Sequence, residues 1–89
     1  MATKSSEKRE RQNVKRRARN RSYKSRARTL IKKANTAMEE HELEEAREAT
    51  RAAVKALDKA AAKGAIHKNN ASRRKSRLMK KLSALEEQS

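Results

Sequence analysis

Apolar positions recur with helical spacing in three separate stretches. At about 100° per residue, Tyr23, Ala27, Leu30, Ile31, Ala34, Ala37 and Met38 share one stripe roughly 120° wide. Leu43, Ala46, Thr50, Ala53, Leu57 and Ala61 form a second stripe. Continued in the phase of the first, it would lie about 135° further round. One straight helix cannot bury both stripes against the same neighbour, so a break is predicted at Glu39-Glu40-His41-Glu42. Glu42, Glu44 and Glu45 then open the second helix, where its dipole favours acids, and Lys63-Gly64 closes it with a cation and a left-handed cap. A third helix is expected from near His67–Asn70, with Ala71, Leu78, Leu82 and Leu85 on one face.

The first stripe does not continue upstream of Tyr23. Its phase there meets Asn20, Arg19, Arg16 and Gln12, while Val14 and Ala18 fall on the far side. A helix polar all round needs something outside itself to hold it. The expected architecture is all-α: a three-helix antiparallel bundle over 23–89, with a long first helix. The basic first half of that helix, 1–22, projects as an arm that becomes helical on its partner. Strand signals are missing, and with no proline and a single glycine there is little turn punctuation.

Composition turns this architecture towards a polyanion. The chain has 89 residues, 26 Lys and Arg against 11 Asp and Glu, and net charge +15. Leu, Ile and Val total 10, Phe is absent and Ala numbers 16, so few bulky groups exist to wall a substrate pocket. Charge is also segregated: residues 1–33 carry +12, 34–62 carry −3 and 63–81 carry +8. Two basic elements thus flank a mildly acidic centre. Arginine forks match phosphate oxygens, and the arm's density sets cations on every side of a helix.

In the second element, Asn69, Arg73, Ser76 and Lys80 lie opposite the apolar face, with Arg77 beside them. Cations mixed with short polar side chains suit close approach to phosphate and 2′-OH oxygens. Arg74 and Lys75 flank the stripe, where covering the thin core with their stems competes with a ligand role. His67 falls on the stripe side and suits a buried or turn-capping role. Tyr23 begins the first stripe and is assigned to core packing rather than base stacking.

Other chemistries find no residues to carry them. There is no cysteine, and His41 and His67 stand alone without a second ligand at metal-binding spacing. No nucleophile–base pair or paired carboxylates appear, so neither enzymatic activity nor a cofactor, metal or small-molecule substrate is expected. No apolar run approaches the roughly 20 residues of a membrane span, no secretory leader is recognisable, and the Trp/Phe/Leu face of a membrane-surface helix is missing. One tyrosine cannot supply the aromatic platforms of single-strand readers, and the first stripe ends too soon for a basic zipper. Recognition of nucleic acid by shape and backbone remains. The alternative to RNA is a nucleoid-type architectural DNA binder.

The two basic elements are also recognisable. Arg9-x-Arg11-Gln12-x-x-Lys15-Arg16-Arg17-x-Arg19-Asn20, with Tyr23-Lys24-Ser25-x-x-Arg28-Thr29-x-Ile31-Lys32-Lys33, resembles the first helix of the bacterial small-subunit ribosomal protein family numbered twenty. Asp58-Lys59-Ala60-Ala61-Ala62-Lys63-Gly64-x-Ile66-His67-Lys68-Asn69, followed by Ala71-x-Arg73-Arg74-Lys75-Ser76-Arg77-Leu78, is similar to that family's other signature. The resemblance spans nearly the whole chain. It implies a three-helix protein of the bacterial cytoplasm that binds small-subunit (16S) ribosomal RNA directly and early in 30S assembly, low in the body of the subunit. It leaves room for other small-subunit proteins as neighbours. In the first helix it assigns RNA contact to Lys8, Arg9, Arg11, Gln12, Lys15, Arg16, Arg17, Arg19, Asn20, Lys24, Ser25, Arg28, Lys32 and Lys33. In the second element it assigns contact to His67, Lys68, Asn69, Arg73, Arg74, Lys75, Ser76 and Arg77. The chain departs from the family at His41-Glu42, where a Gly-Asp-like pair is usual, at Ser72, where alanine is commoner, and at Glu10, which dilutes the arm's charge.

Overall fold

The computed structural model describes residues 4–88, all assigned to helices or the short turns between them. Residues 1–3 of the expected arm and Ser89 at the end of the expected bundle lie outside the described residues. Three helices follow in order: α1 (Lys4–Glu39), α2 (Leu43–Ala62) and α3 (Lys68–Gln88). Successive helices run antiparallel, as the ion pairs Asp58–Lys75 and Glu86–Arg47 between α2 and α3 require. The 36 residues of α1 far outrun the 20 of α2 and the 21 of α3. Its first half therefore has no helix to lie against, and the molecule is drawn out to 65 × 20 × 14 Å.

The core is thin and built largely of alanine. Ala46, Ala53 and Ala60 recur every seven residues on α2, and Ala27 and Ala34 on α1; all five are buried. Small side chains along such a seam let helix axes approach closely. Bulk comes from Met38, Leu57, Leu78 and Leu85, of which Leu57 is the largest side chain fully enclosed. Leu30, Ile31, Leu43 and Leu82 pack against this core and are only half-buried, while Tyr23, expected in the core, is half-buried outside that cluster. Three helices cannot cover the whole width of stripes as broad as the pattern predicted. Ala60 rather than Ala61 takes the fully buried place at the end of α2, and Ala65, outside every predicted stripe, is buried behind it.

Both helix ends before a turn use the same hydrogen-bonded motif. At the end of α1, Glu42 N–H donates to Ala37 C=O (3.0 Å) and His41 N–H to Met38 C=O (3.1 Å). At the end of α2, Ala65 N–H donates to Ala60 C=O (2.8 Å) and Gly64 N–H to Ala61 C=O (3.1 Å). The pivotal residue of each motif is left-handed: His41 at φ 56° and Gly64 at φ 76°. Both positions match the expected breaks, and the paired carbonyls explain how a chain with one glycine makes two sharp turns.

Candidate nucleic-acid interface

From Glu7 to Arg19 every described side chain of α1 is exposed, Val14 among them at 63%. Lys8, Arg9, Arg11, Gln12, Lys15, Arg16, Arg17 and Arg19 thus surround a rod that buries nothing. Burial starts at Asn20, whose Oδ1 is enclosed without a hydrogen-bond partner.

Below the arm, the two basic elements meet. A shallow recess of about 550 Å³ runs down α1 between Arg17, Asn20, Arg21, Lys24, Ser25 and Arg28. Lys24 and Arg28 then share a second recess with Asn70 and Arg74 of α3, floored by Ala27, Leu57 and Ile66. Arg74 in turn borders a third recess, between Ile31 and Asn35 of α1 and Arg73, Arg77, Leu78 and Lys81 of α3. The three are contiguous. Eight cations line this strip and no carboxylate does, so their fields add along a groove with a low-dielectric floor.

Amide side chains order the strip. Asn70 Oδ1 accepts from Arg74 Nε at 3.0 Å and, at the limit of a hydrogen bond, from Arg73 Nη2 at 3.5 Å. This bond holds the Arg74 guanidinium beside Asn70 within the strip. Lys81 reaches Asn35 Oδ1 at 3.4 Å, which ties α3 to α1 at the lower end of the strip.

The remaining expected residues lie apart from it. His67 is exposed and caps α3: its Nδ1 accepts from the Asn69 backbone N–H at 3.1 Å, and its carbonyl accepts from Ala71 N–H. This is the capping role the periodicity favoured. Lys75 is half-buried and pairs with Asp58 on α2 at 2.6 Å, so it binds helix to helix. Lys32, Lys33, Lys68, Asn69 and Ser76 are exposed outside the three recesses. Arg21 and Lys81 belong to the strip although the sequence reading assigned neither of them. The i, i+4, i+7, i+11 run Arg17–Arg21–Lys24–Arg28 could have found the first, and Lys81, four residues after Arg77, the second. No helix is long and apolar enough to cross a membrane, and no acid–histidine cluster among the described residues could hold a metal ion.

Comparison with known proteins bears on the same stretch of chain. The family model described as ribosomal protein S20 matches residues 2–83. Proteins named small ribosomal subunit protein bS20 are similar to the chain in several bacteria. That of Thermomicrobium roseum is 57% identical over 83 residues, covering 93% of this chain and 84% of the relative. That of Geobacillus kaustophilus is 55% identical, with 93% of each chain covered. That of Desulfatibacillum aliphaticivorans is 49% identical over 82 residues, covering 92% and 93%. A family match over nearly every residue, including both basic elements and the helix caps that position them, makes this chain a member of the ribosomal protein S20 family.

Proposed function

We propose that the chain is a structural, non-enzymatic protein of the small ribosomal subunit, in the cytoplasm, and binds the subunit's ribosomal RNA without cofactor. Family membership supports the ribosomal role and leaves the DNA-architectural alternative without an observation in its favour. The observation that supports a specific surface is the carboxylate-free strip of eight cations that joins α1 to α3. Arg17, Asn20, Lys24, Ser25, Arg28, Arg73, Arg74 and Arg77 contact one run of RNA backbone there, together with Arg21 and Lys81. Lys8, Arg9, Arg11, Gln12, Lys15, Arg16 and Arg19 enter the RNA with the projecting arm. Lys32, Lys33, Lys68, Asn69 and Ser76 make peripheral contacts. His67 and Lys75 act on RNA chiefly by setting α3 in place.

The arm, residues 1–22, is a unit of its own in this proposal. From Glu7 to Arg19 every side chain is exposed, so that stretch of helix is held by local propensity alone until RNA neutralises it. Other small-subunit proteins are expected as neighbours.

Binding of the full chain to small-subunit ribosomal RNA across a salt series tests the strip. Each phosphate neutralised contributes roughly 0.7–0.9 to the slope of log K against log salt. Replacing Arg17, Arg28, Arg74 and Arg77 together by Gln is expected to flatten that slope by about 3. An unchanged slope would reject the strip as the binding surface.

A further inference from the structure

The bundle has a second groove, between α1 and α2, that none of these assignments uses. It encloses about 540 Å³ and no residue of α3 lines it. Its floor is apolar, made by Tyr23 and Leu30 of α1 with Ala52 and Ala56 of α2. Tyr23 is the chain's only aromatic residue and is half-exposed here. Arg26 borders the groove from α1, and Lys55 and Lys59 border it from α2. No carboxylate lines it, and none of the three cations is in an ion pair among the described residues.

α2 carries four bases and four acids, yet of its charged residues only bases line the groove. Glu44 and Glu45 sit in its first turn, and Asp58 faces α3, where it pairs with Lys75. None of the four acids of α2, Glu48 included, lines the groove, while Lys55 and Lys59, four residues apart, do. On α1 the groove centres about 160° round from the Arg17–Arg21–Lys24–Arg28 face, so it is a separate surface.

We propose that this groove is a second RNA site, which takes one unpaired nucleotide. Its base lies against the Tyr23 ring over the Leu30, Ala52 and Ala56 floor, and the adjoining phosphates sit on Arg26, Lys55 and Lys59. Base–aromatic stacking is tolerant of sequence and needs one exposed ring face with cations beside it. A partner protein helix would need a row of apolar anchors at helical spacing to fill. The groove offers one aromatic, one leucine and two alanines, with cations on both walls and no acid. The proposal rests on the RNA-binding function above and adds a second face to it, so that α1 lies between two RNA segments.

Full-length protein carrying 3-fluorotyrosine tests it, because Tyr23 then gives a single ¹⁹F resonance. The probes are a hexamer of adenylate and an abasic hexamer of equal charge. The expected result is a resonance shift with oligoadenylate and none of similar size with the abasic chain. Stacking worth about 1–3 kcal/mol corresponds to a loss of about 5- to 150-fold in oligoadenylate affinity on Tyr23→Leu, with abasic binding unchanged. Leucine keeps the groove filled, and thermal melting confirms that the variant folds. Tyr23→Phe should retain affinity, and the Lys55→Gln/Lys59→Gln pair should weaken both oligomers. An unmoved resonance, or equal losses for the two oligomers on Tyr23→Leu, overturns the proposal. Binding to small-subunit ribosomal RNA, measured in parallel, separates the two levels. Its retention alongside a silent Tyr23 rejects only the second site; its absence in the unmodified chain rejects the RNA-binding function itself.

Discussion

His41 sits where glycine is the natural choice, and replacing it should make the protein more stable. The turns after α1 and α2 carry the same pair of closing hydrogen bonds, within 2.8–3.1 Å, around a left-handed residue. At Gly64 that conformation is free of steric penalty; at His41 a Cβ crowds the following carbonyl, costing about 1–2 kcal/mol. His41→Gly relieves this, offset by about 0.5–1 kcal/mol for the greater freedom of glycine in the unfolded chain. A net gain of about 0.5–1 kcal/mol is expected. Unfolding entropy near about 2.1 cal/mol/K per residue gives about 0.19 kcal/mol/K for this chain, so the melting temperature should rise by about 3–5 °C. Gly64→Ala is the mirror experiment, since a Cβ there meets nothing within 4 Å and only the backbone is perturbed. It should lower the melting temperature by a similar amount. Helicity at 222 nm followed through thermal melts at one fixed salt concentration measures both, with His41→Asn expected to fall between His41 and Gly. If Gly64→Ala melts earlier but His41→Gly gains nothing, the backbone argument fails. The His41 side chain, beside Met38 and Leu85, would then be holding the turn.

Glu42 begins α2 at φ −90°, ψ 89° without a side-chain cap, so Glu42→Asp should add about 0.5–1 kcal/mol, read from the same melts. A hydrogen bond with Glu45, then repulsion from Glu45 and Glu40, raises the Glu42 pKa above its ordinary value. The folded state therefore favours the protonated form. Its contribution to stability is full below the unfolded pKa and disappears as pH rises through the higher folded one. Carboxyl ¹³C titration should show the raised midpoint, and Glu45→Gln should bring it down. Thr50 is buried with its hydroxyl unpartnered, so the isosteric Thr50→Val should raise the melting temperature, by about 1 kcal/mol in stability. Arg16/Arg17→Ala should leave melting unchanged while flattening the salt dependence of RNA binding by about 1–2 units. Leu57→Ala should cost about 2–5 kcal/mol and abolish binding through unfolding. An early melt with intact RNA affinity in the arginine variant would place that segment in the folded core.

Helical periodicity located three helices, the first break and most of the buried faces, because a 3.6-residue repeat is imposed by each helix on its own residues, while the lone glycine marked the second break. The length of α1 beyond the bundle was legible for the same reason: the apolar repeat stops at Tyr23. The charge blocks marked the basic elements, and the two signature motifs marked the family. Lys75 could not be sorted from its neighbours that way, and for His67 the pattern left burial and turn-capping both open. Lys75 is drawn to Asp58, seventeen residues earlier, and His67 is oriented by the backbone of a helix it precedes. Arg21 joins the strip, and Lys55 and Lys59 leave an acidic segment to face Tyr23, only once α1 has neighbours on either side. A one-dimensional pattern fixes which face of a helix seeks a partner. The partner's identity, and with it the cations that end up sharing one groove, depends on packing between residues distant in sequence, which no local repeat encodes.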